Sequence, residues 1–148
     1  MDGMMRGGGL LWDTMGLVCM FFSAFYGVGN SIGVEVRAML TGVVLCERFN
    51  LVVDVIESDC ESLVWILQGE ADTPWELEYY IRKCKLFISQ PSIVRHVWRE
   101  QTFAADGLAR VGRADEDLII CNTVGAIPVE CKQIIKGDAL GLHHYRPP

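Results

Sequence analysis

The sequence lacks three features that would place it quickly in a common class. None of its six cysteines forms a C-x-x-C pair, which excludes the zinc and redox motifs of that spacing. No apolar run reaches the roughly 20 residues of a membrane-spanning helix. Basic residues are also in deficit, with 13 Lys and Arg against 19 Asp and Glu. The scattered cysteines favour reduced thiols in a reducing compartment over a fold held by disulfides.

What the chain does have is typical of a globular protein. Its 148 residues, 51% hydrophobic and 22% charged, suit one domain with a core. The net charge of −6 disfavours nonspecific attraction to nucleic acid. The apolar run LVCMFFSAFYGVG could imitate a secretory signal. However, Asp2 and Asp13 precede it, Arg6 is the only basic residue before it, and no clean cleavage site follows. We therefore expect a strand and a chain that is not secreted.

Periodicity predicts the order strand, strand, helix, strand, helix, helix, strand, helix. The predicted strands are Leu10–Trp12, Leu17–Tyr26, LVVDVIESD and PSIVRHVW. The first predicted helix lies in GNSIGVEVRAMLTGVVLCERFN, with Ser31 as N-cap and a stop near Asn50. The other predicted helices are CESLVWILQG, ending at Gly69, WELEYYIRKCKLFIS, opened by Pro74, and QTFAADGLARVG. This order indicates an α/β (α+β) fold with a mixed, partly parallel sheet and helices on its faces. Residues 113–148 lose the periodicity, and we expect a tail that packs only locally.

Three acids stand where a plain fold would not need them. Glu35 begins the first predicted helix, where an acid also interacts favourably with the helix dipole. Asp59 ends a predicted strand, as an N-cap for the next helix or as a ligand at the sheet edge. Asp106 lies among small residues of the last helix with no obvious partner in the sequence. Clustered carboxylates repel one another. Mg²⁺ bound between the carboxylates would offset this repulsion. Two such ions about 4 Å apart could bind the attacking water and the leaving oxygen of a phosphodiester.

His96 follows an apolar, strand-like run and allows two interpretations. It is a hydrogen-bonded histidine at a strand end, or it moves a proton near the leaving group. The sequence leaves both open.

The series VEVRAML…VIESDCESLVWIL…PWELEYYIRKCKLFI…RHVWRE…AADGLARVG resembles the RNase H-like domain of plants. That domain is related to the ribonuclease H of non-LTR retrotransposons and occurs as a reverse-transcriptase-like protein. The resemblance runs from about Gly7 to Gly112. It implies a ribonuclease H-like domain over residues 1–112, followed by a C-terminal tail over 113–148. It also implies cleavage of the RNA strand of RNA–DNA hybrids with two Mg²⁺ ions, or Mn²⁺ in their place.

The resemblance also assigns site residues. Glu35, Asp59 and Asp106 match the second, third and fourth carboxylates of the family's metal site, and His96 matches its catalytic-loop histidine. Two positions depart from the family. The first carboxylate belongs to a DG on the first strand, which only Asp2 can match. Because almost nothing precedes Asp2, a central strand is expected to be missing or truncated. Thr102 stands where the family has Asn.

The leading hypothesis is therefore a Mg²⁺-dependent endoribonuclease that binds hybrid through phosphates and 2′-hydroxyls. The alternative is a non-catalytic nucleic-acid-binding or interaction module, a truncated transposon relic. We expect an intracellular monomer, in nucleus or cytoplasm and without a membrane partner. The candidate cationic contacts, of which the first three could equally form a solvated helix face, are Arg82, Lys83, Lys85, Arg95 and Arg99.

Overall fold

The computed structural model describes residues 3–13, 18–88, 90–98, 118–122 and 130–138, with side chains for 7–13, 20–27, 29–88 and 90–98. The strands are β1 (Gly3–Asp13), β2 (Val18–Gly29), β3 (Val52–Ser58), β4 (Val94–His96), β5 (Leu118–Asn122) and β6 (Glu130–Asp138). The α-helices are α1 (Ser31–Arg48), α2 (Glu61–Leu67) and α3 (Glu78–Phe87), with 3₁₀ turns at Trp75–Leu77 and Pro91–Ile93.

The strands form one six-stranded sheet in the order β4-β3-β6-β1-β2-β5. β1 and β2 make an antiparallel hairpin, and β5 pairs antiparallel with the outer side of β2. β3 and β4 are parallel, as the helical crossover between them requires. The mixed sheet with helices, predicted from the order of periodic segments, is confirmed.

The segment after Gly112 does not behave as expected. It supplies two strands, and β6 lies in the middle of the sheet, antiparallel to β1 and parallel to β3. Ile135 of β6 is paired with Gly9 on one side and with Ser58 on the other. The prediction of a tail that packs only locally is therefore wrong. The predicted gap at a central strand is filled by β6, whose β-branched residues had been hidden in an aperiodic stretch.

Helix α1 is set by polar residues at both ends. Its N-cap is Asn30, not Ser31 as predicted, because the Asn30 side chain accepts a hydrogen bond from the Gly33 N–H at 2.8 Å. At the other end Asn50 adopts φ 56°, and the Leu51 N–H donates to the Cys46 carbonyl at 2.9 Å. This six-to-one bond is the Schellman arrangement that ends a helix on a left-handed residue. The predicted stop near Asn50 is confirmed.

Between Pro74 and His96, fewer residues form α-helix or β-strand than the sequence pattern predicted. Residues after Pro74 first form the 3₁₀ turn Trp75–Leu77, and only then α3. PSI, predicted as strand, is another 3₁₀ turn because Pro91 lacks the N–H for a ladder bond and stands at its first position. The strand is left with three residues, and the Gln68 side chain bonds the Val94 carbonyl at 2.8 Å.

The core lies between the three described helices and one face of the sheet. α1 contributes residues at helical spacing, including Val36, Met39 and Val43, which meet Ile56 of β3 and Val94 of β4. A second cluster joins the far half of α1 to the hairpin; it consists of Leu11, Met20, Phe22, Leu45 and Cys46. Within the described part of the chain, no helix combines the length and apolar character needed to cross a membrane.

Gly7 is the point of closest approach between the hairpin and α1. A Cβ there would lie 2.8 Å from the Ala38 Cβ and 2.9 Å from a ring carbon of Tyr26. Tyr26 cannot easily move away, because its hydroxyl is 2.6 Å from the Thr41 hydroxyl and Arg37 stacks over its ring at 5.1 Å.

We therefore expect Gly7→Ala to lower the free energy of unfolding by about 1–3 kcal/mol through overpacking. Gly29→Ala is the matched control: a Cβ there meets nothing within 4 Å, and we expect a change within about 0.5 kcal/mol. Urea denaturation of the two variants beside the parent chain measures both. Equal stability of the two variants would contradict the tight approach of α1.

Candidate functional site

Five strands place one of their ends at the same edge of the sheet. Because β3, β4 and β6 are parallel to one another and antiparallel to β1, this edge holds their carboxyl ends, the start of β1 and the end of β2. We call it the site edge; it is marked by Gly3, Gly29, Ser58, His96 and Asp138. Helix α1 begins there, directly after β2. Carboxyl ends of parallel strands are where open α/β sheets bind ligands.

Glu35 is a buried acid near the start of α1. Only 4% of its surface is exposed, which is unusual for a carboxylate. The first turn of α1 contains no acidic residue, because with Asn30 as N-cap Glu35 lies beyond that turn. Interaction with the helix dipole falls off within that first turn, so it does not account for Glu35. A buried carboxylate at this depth needs compensating charge or hydrogen bonds.

Asp59 follows β3 at the site edge, in the bend before α2. The N-cap of α2 is Cys60, so the interpretation of Asp59 as that cap is wrong. The turn is held instead by Ser58, fully buried, whose hydroxyl accepts a hydrogen bond from the Cys60 N–H at 3.1 Å. One carboxylate oxygen of Asp59, Oδ1, is shielded from solvent. The bend therefore presents a carboxylate at the strand end without using it as the cap.

Both acids act electrostatically on the thiol of Cys60. Its pKa is raised to about 11, first by burial and next by the negative charge of Glu35. Asp59 adds a smaller increase, while hydrogen bonds from the Leu63 and Ser62 backbone act in the opposite direction. Both carboxylates thus act on one thiol at the start of α2. Two of the predicted acids, one from α1 and one directly after β3, therefore influence the same thiol.

His96 ends β4 at the same edge and is directly paired with Ser58, one residue before Asp59. The Val97 N–H donates to the Ser58 carbonyl at 3.0 Å, which continues this alignment beyond the strand. The half-buried His96 ring packs edge-on against Trp98, with 5.3 Å between ring centroids. Arg95, the preceding residue, is exposed. His96 and Arg95 therefore lie at the site edge.

The basic residues of α3 are elsewhere. α3 ends at Phe87, whose side chain lines a crevice with Leu51 and Val52 at the opposite edge of the sheet. Arg82 is exposed and bonds Glu78 at 3.1 Å, and the Lys83 ammonium lies 5.6 Å from the centre of the Tyr79 ring. Arg82, Lys83 and Lys85 thus form a solvated flank beside the sheet and not part of the site edge.

The remaining site predictions lie outside the described residues. They are Asp2, Arg99, Thr102 and Asp106. Of the four carboxylates predicted to bind metal, the structure describes the side chains of two, Glu35 and Asp59. Within the ranges described above, no group of three or more His, Cys, Asp or Glu side chains forms a metal cage. The donors that are present fit Mg²⁺, because buried carboxylate oxygens are the hard ligands it prefers.

Two residues at the site were missed from sequence. Cys60 was taken as one of six scattered thiols, although its position directly after Asp59 was a usable signal. Trp98 looked like one more apolar residue of a strand, yet it is 68% exposed beside His96. Nothing in the local pattern separates an exposed tryptophan from a core one. Among the cysteines whose side chains are described, Cys46, Cys60 and Cys84 are free thiols.

Comparisons with known proteins agree with this architecture. Residues 3–112 match a protein family described as reverse transcriptase-like. RNase H1 from the halophilic archaeon Halobacterium salinarum NRC-1 superposes with a TM-score of 0.66 and 18% identity, over 72% of this chain and 83% of that chain. The N-terminal RNase H domain of rv2228c from Mycobacterium tuberculosis, solved as a fusion with maltose binding protein, superposes with a TM-score of 0.61 and 17% identity. The match covers 73% of this chain and 89% of that chain. No curated protein matches the chain. The RNase H fold predicted from sequence is confirmed.

The charge coupling at Cys60 can be tested by alkylation. Glu35→Gln removes the second-largest cause of the raised pKa, so the thiolate fraction of Cys60 at pH 8.5 rises. We expect iodoacetamide to modify Cys60 severalfold faster in this variant, followed by mass spectrometry of the peptide containing it. Glu57→Gln is the control, since Glu57 is not among the causes of that shift. Equal rates in the two variants would show that Glu35 and Cys60 are not neighbours.

Proposed function

Since the chain belongs to the reverse transcriptase-like family and has the RNase H fold, we propose that it is a Mg²⁺-dependent endoribonuclease that cleaves the RNA strand of RNA–DNA hybrids. The observation that carries the proposal is the pair of carboxylates at the site edge. Glu35 and Asp59 both lie close enough to Cys60 to raise its pKa.

In this proposal the carboxylates hold the metal ions. Glu35, Asp59 and Asp106 would provide oxygen ligands, with Asp2 as the fourth by resemblance. Bound divalent ions supply an activated water and neutralise charge on the phosphate. Burial in α1 fixes the position of Glu35 and excludes water from it. The backbone bonds of Ser58 fix the bend from which Asp59 projects.

The residues of β4 would handle the proton and the phosphate. Water attacks the phosphorus, the bond to the leaving oxygen breaks, and that oxygen takes up a proton. His96, aligned with Ser58 and packed on Trp98, is placed to move this proton. Exposed Arg95 would contact a phosphate beside the site. Because the chain carries a net charge of −6, hybrid binding must depend on such local cations.

The runner-up is a nucleic-acid-binding module without catalysis, a truncated transposon relic. One observation favours it: the central position of the sheet is occupied by β6, and not by a strand that carries the DG assigned to Asp2. Thr102, at a position where the family has Asn, also favours a module without catalysis. A plant source and a retrotransposon origin remain predictions, as do a monomeric state and an intracellular location. The free thiols support the last of these.

Cleavage of a labelled RNA–DNA hybrid during Mg²⁺ titration tests the activity. We expect Mg²⁺-dependent cleavage by the parent chain and a loss of at least about 10²-fold in Asp59→Asn, Glu35→Gln and Asp106→Asn. Asp54→Asn, an exposed residue of the same strand β3, is the matched control and should cleave normally. A hybrid with a scrambled RNA sequence should be cleaved equally well, since recognition rests on the backbone.

Two outcomes would contradict the enzyme. Folded parent chain that binds hybrid without cleaving it at any Mg²⁺ concentration would support the binding module. Cleavage that persists in Asp59→Asn and Glu35→Gln would place the activity elsewhere in the chain.

The α3 flank gives a separate prediction about binding. Binding is measured in EDTA, where the hybrid stays intact. If the Lys83 ammonium contacts one phosphate, Lys83→Gln should weaken hybrid binding and reduce the slope of log affinity against log salt by about 0.9. Arg48→Gln, at the end of α1, makes the same change in net charge. Equal effects of the two variants, measured by fluorescence anisotropy across salt concentrations, would show that only net charge matters and that α3 is a solvated face.

A further inference from the structure

Trp98 presents an exposed indole ring at the site edge. Its side chain is 68% exposed, although burying a ring of this size is usually favourable. Exposure alone does not distinguish it, because Trp65 and Trp75 are also exposed and isolated apolar residues are common on protein surfaces. The distinguishing observation is its neighbour. The ring of Trp98 contacts that of His96, the residue proposed above to move a proton to the leaving oxygen.

The backbone that leads to Trp98 is fixed. Val97 is buried, and its N–H donates to the Ser58 carbonyl at 3.0 Å. The preceding residue, His96, is paired with Ser58 in the sheet. The indole therefore projects from an anchored main chain, close to the bend that contains Asp59. A side chain held in this way loses little further conformational freedom when a ligand covers it.

The contact with His96 leaves much of the indole available. The two rings meet at 78°, an edge-on arrangement in which one ring presents its edge and the other its face. His96 therefore covers at most one of the two faces of the indole. An accessible indole face can stack on any nucleobase, because every base has a π-face. Exposed Arg95 supplies a cation for a phosphate near the same nucleotide.

Base pairing decides which nucleotides can use this surface. In a fully paired hybrid the bases are stacked on one another, and removing one of them from the duplex costs free energy. That cost is smallest for a base that is mismatched or already unpaired. An indole beside the reacting phosphate therefore favours a hybrid whose RNA strand has an unpaired nucleotide near the cleaved bond.

We propose that Trp98 stacks on an unpaired RNA base next to the cleaved phosphate, so that the chain prefers hybrids with an unpaired RNA nucleotide at that point. The inference rests on the proposed function and specifies its substrate. The competing explanation is that Trp98 only positions the ring of His96. In that case its loss slows cleavage of every hybrid by the same factor and leaves binding unchanged.

The first measurement is binding in EDTA of two labelled hybrids, one fully paired and one with a single unpaired RNA nucleotide at its centre. Fluorescence anisotropy gives both affinities. We expect the parent chain to bind the hybrid with the unpaired nucleotide at least about fivefold more tightly, since stacking on one base contributes a factor of this order. Trp98→Ala should abolish the preference, whereas Trp98→Phe, which keeps an aromatic ring, should retain part of it.

Two controls accompany this measurement. Trp75→Ala removes a tryptophan that is 84% exposed in the 3₁₀ turn before α3, and it should keep the full preference. Stacking neutralises no phosphate, so Trp98→Ala should lower the affinity for the hybrid with the unpaired nucleotide without changing the slope of log affinity against log salt. Thermal unfolding establishes that each variant is folded.

Cleavage of the same hybrids in Mg²⁺ separates this inference from the one it rests on. Cuts that cluster beside the unpaired nucleotide with the parent chain, but not with Trp98→Ala, support the inference independently. If the parent chain cleaves hybrid but binds both hybrids equally in EDTA, Trp98 is not a stacking residue although the enzyme exists. Equal slowing of both cleavage reactions in Trp98→Ala, with both affinities unchanged, would establish the positioning role instead.

The remaining outcomes concern the proposed function. A preference that depends on Trp98, without cleavage at any Mg²⁺ concentration, would contradict the enzyme and leave Trp98 as the stacking residue of a binding module. Failure of the folded parent chain to bind either hybrid would overturn both proposals.

Discussion

The backbone ladder of β6 is the interaction on which the rest of the described structure depends. β3 and β4 form one pair of strands, and β1, β2 and β5 form another group; β6 alone hydrogen-bonds to both. Without it, the end of β3 would not lie beside the start of β1 and the end of β2. The site edge exists because this strand brings the bend at Asp59 next to the first turns of α1. The close approach of α1 at Gly7 then fixes the depth of Glu35.

The site combines rigidity with an electrostatic conflict. Ser58 is fully buried and bonded on both sides, to Cys60 through its hydroxyl and to Val97 through its carbonyl. Around that fixed point stand two acids and a thiol whose pKa they raise together with burial. Like charges held close in a buried setting lower stability unless a cation joins them. In the proposed function, this rigid bend holds the Asp59 carboxylate where it would bind a divalent ion.

Much of this could be predicted from the sequence, and the failures have physical reasons. α1 was predicted well because its apolar spacing and Asn50 are local signals, whereas its N-cap was misplaced because Asn30 and Ser31 are both good caps. Glu35 and Asp59 stay predictions as site residues, and their positions at one edge depend on pairings across the sheet that no local pattern encodes. β6 was missed for the same reason. Its polar and apolar residues alternate poorly, and its neighbours in the sheet are the first and third strands of the chain. Long-range register outweighs local propensity at such a strand.

The position of β6 also determines when the chain can finish folding. The strand that joins the two halves of the sheet is translated last, more than a hundred residues after its partner β1. Until it emerges, β1 and β3 have open edges with unpaired backbone groups, which are templates for pairing with other chains. Closing such a distant pairing is slow, because the entropy of a long loop must be lost before the ladder forms. A nascent chain of this protein therefore depends on protection of those edges until β6 has been synthesised.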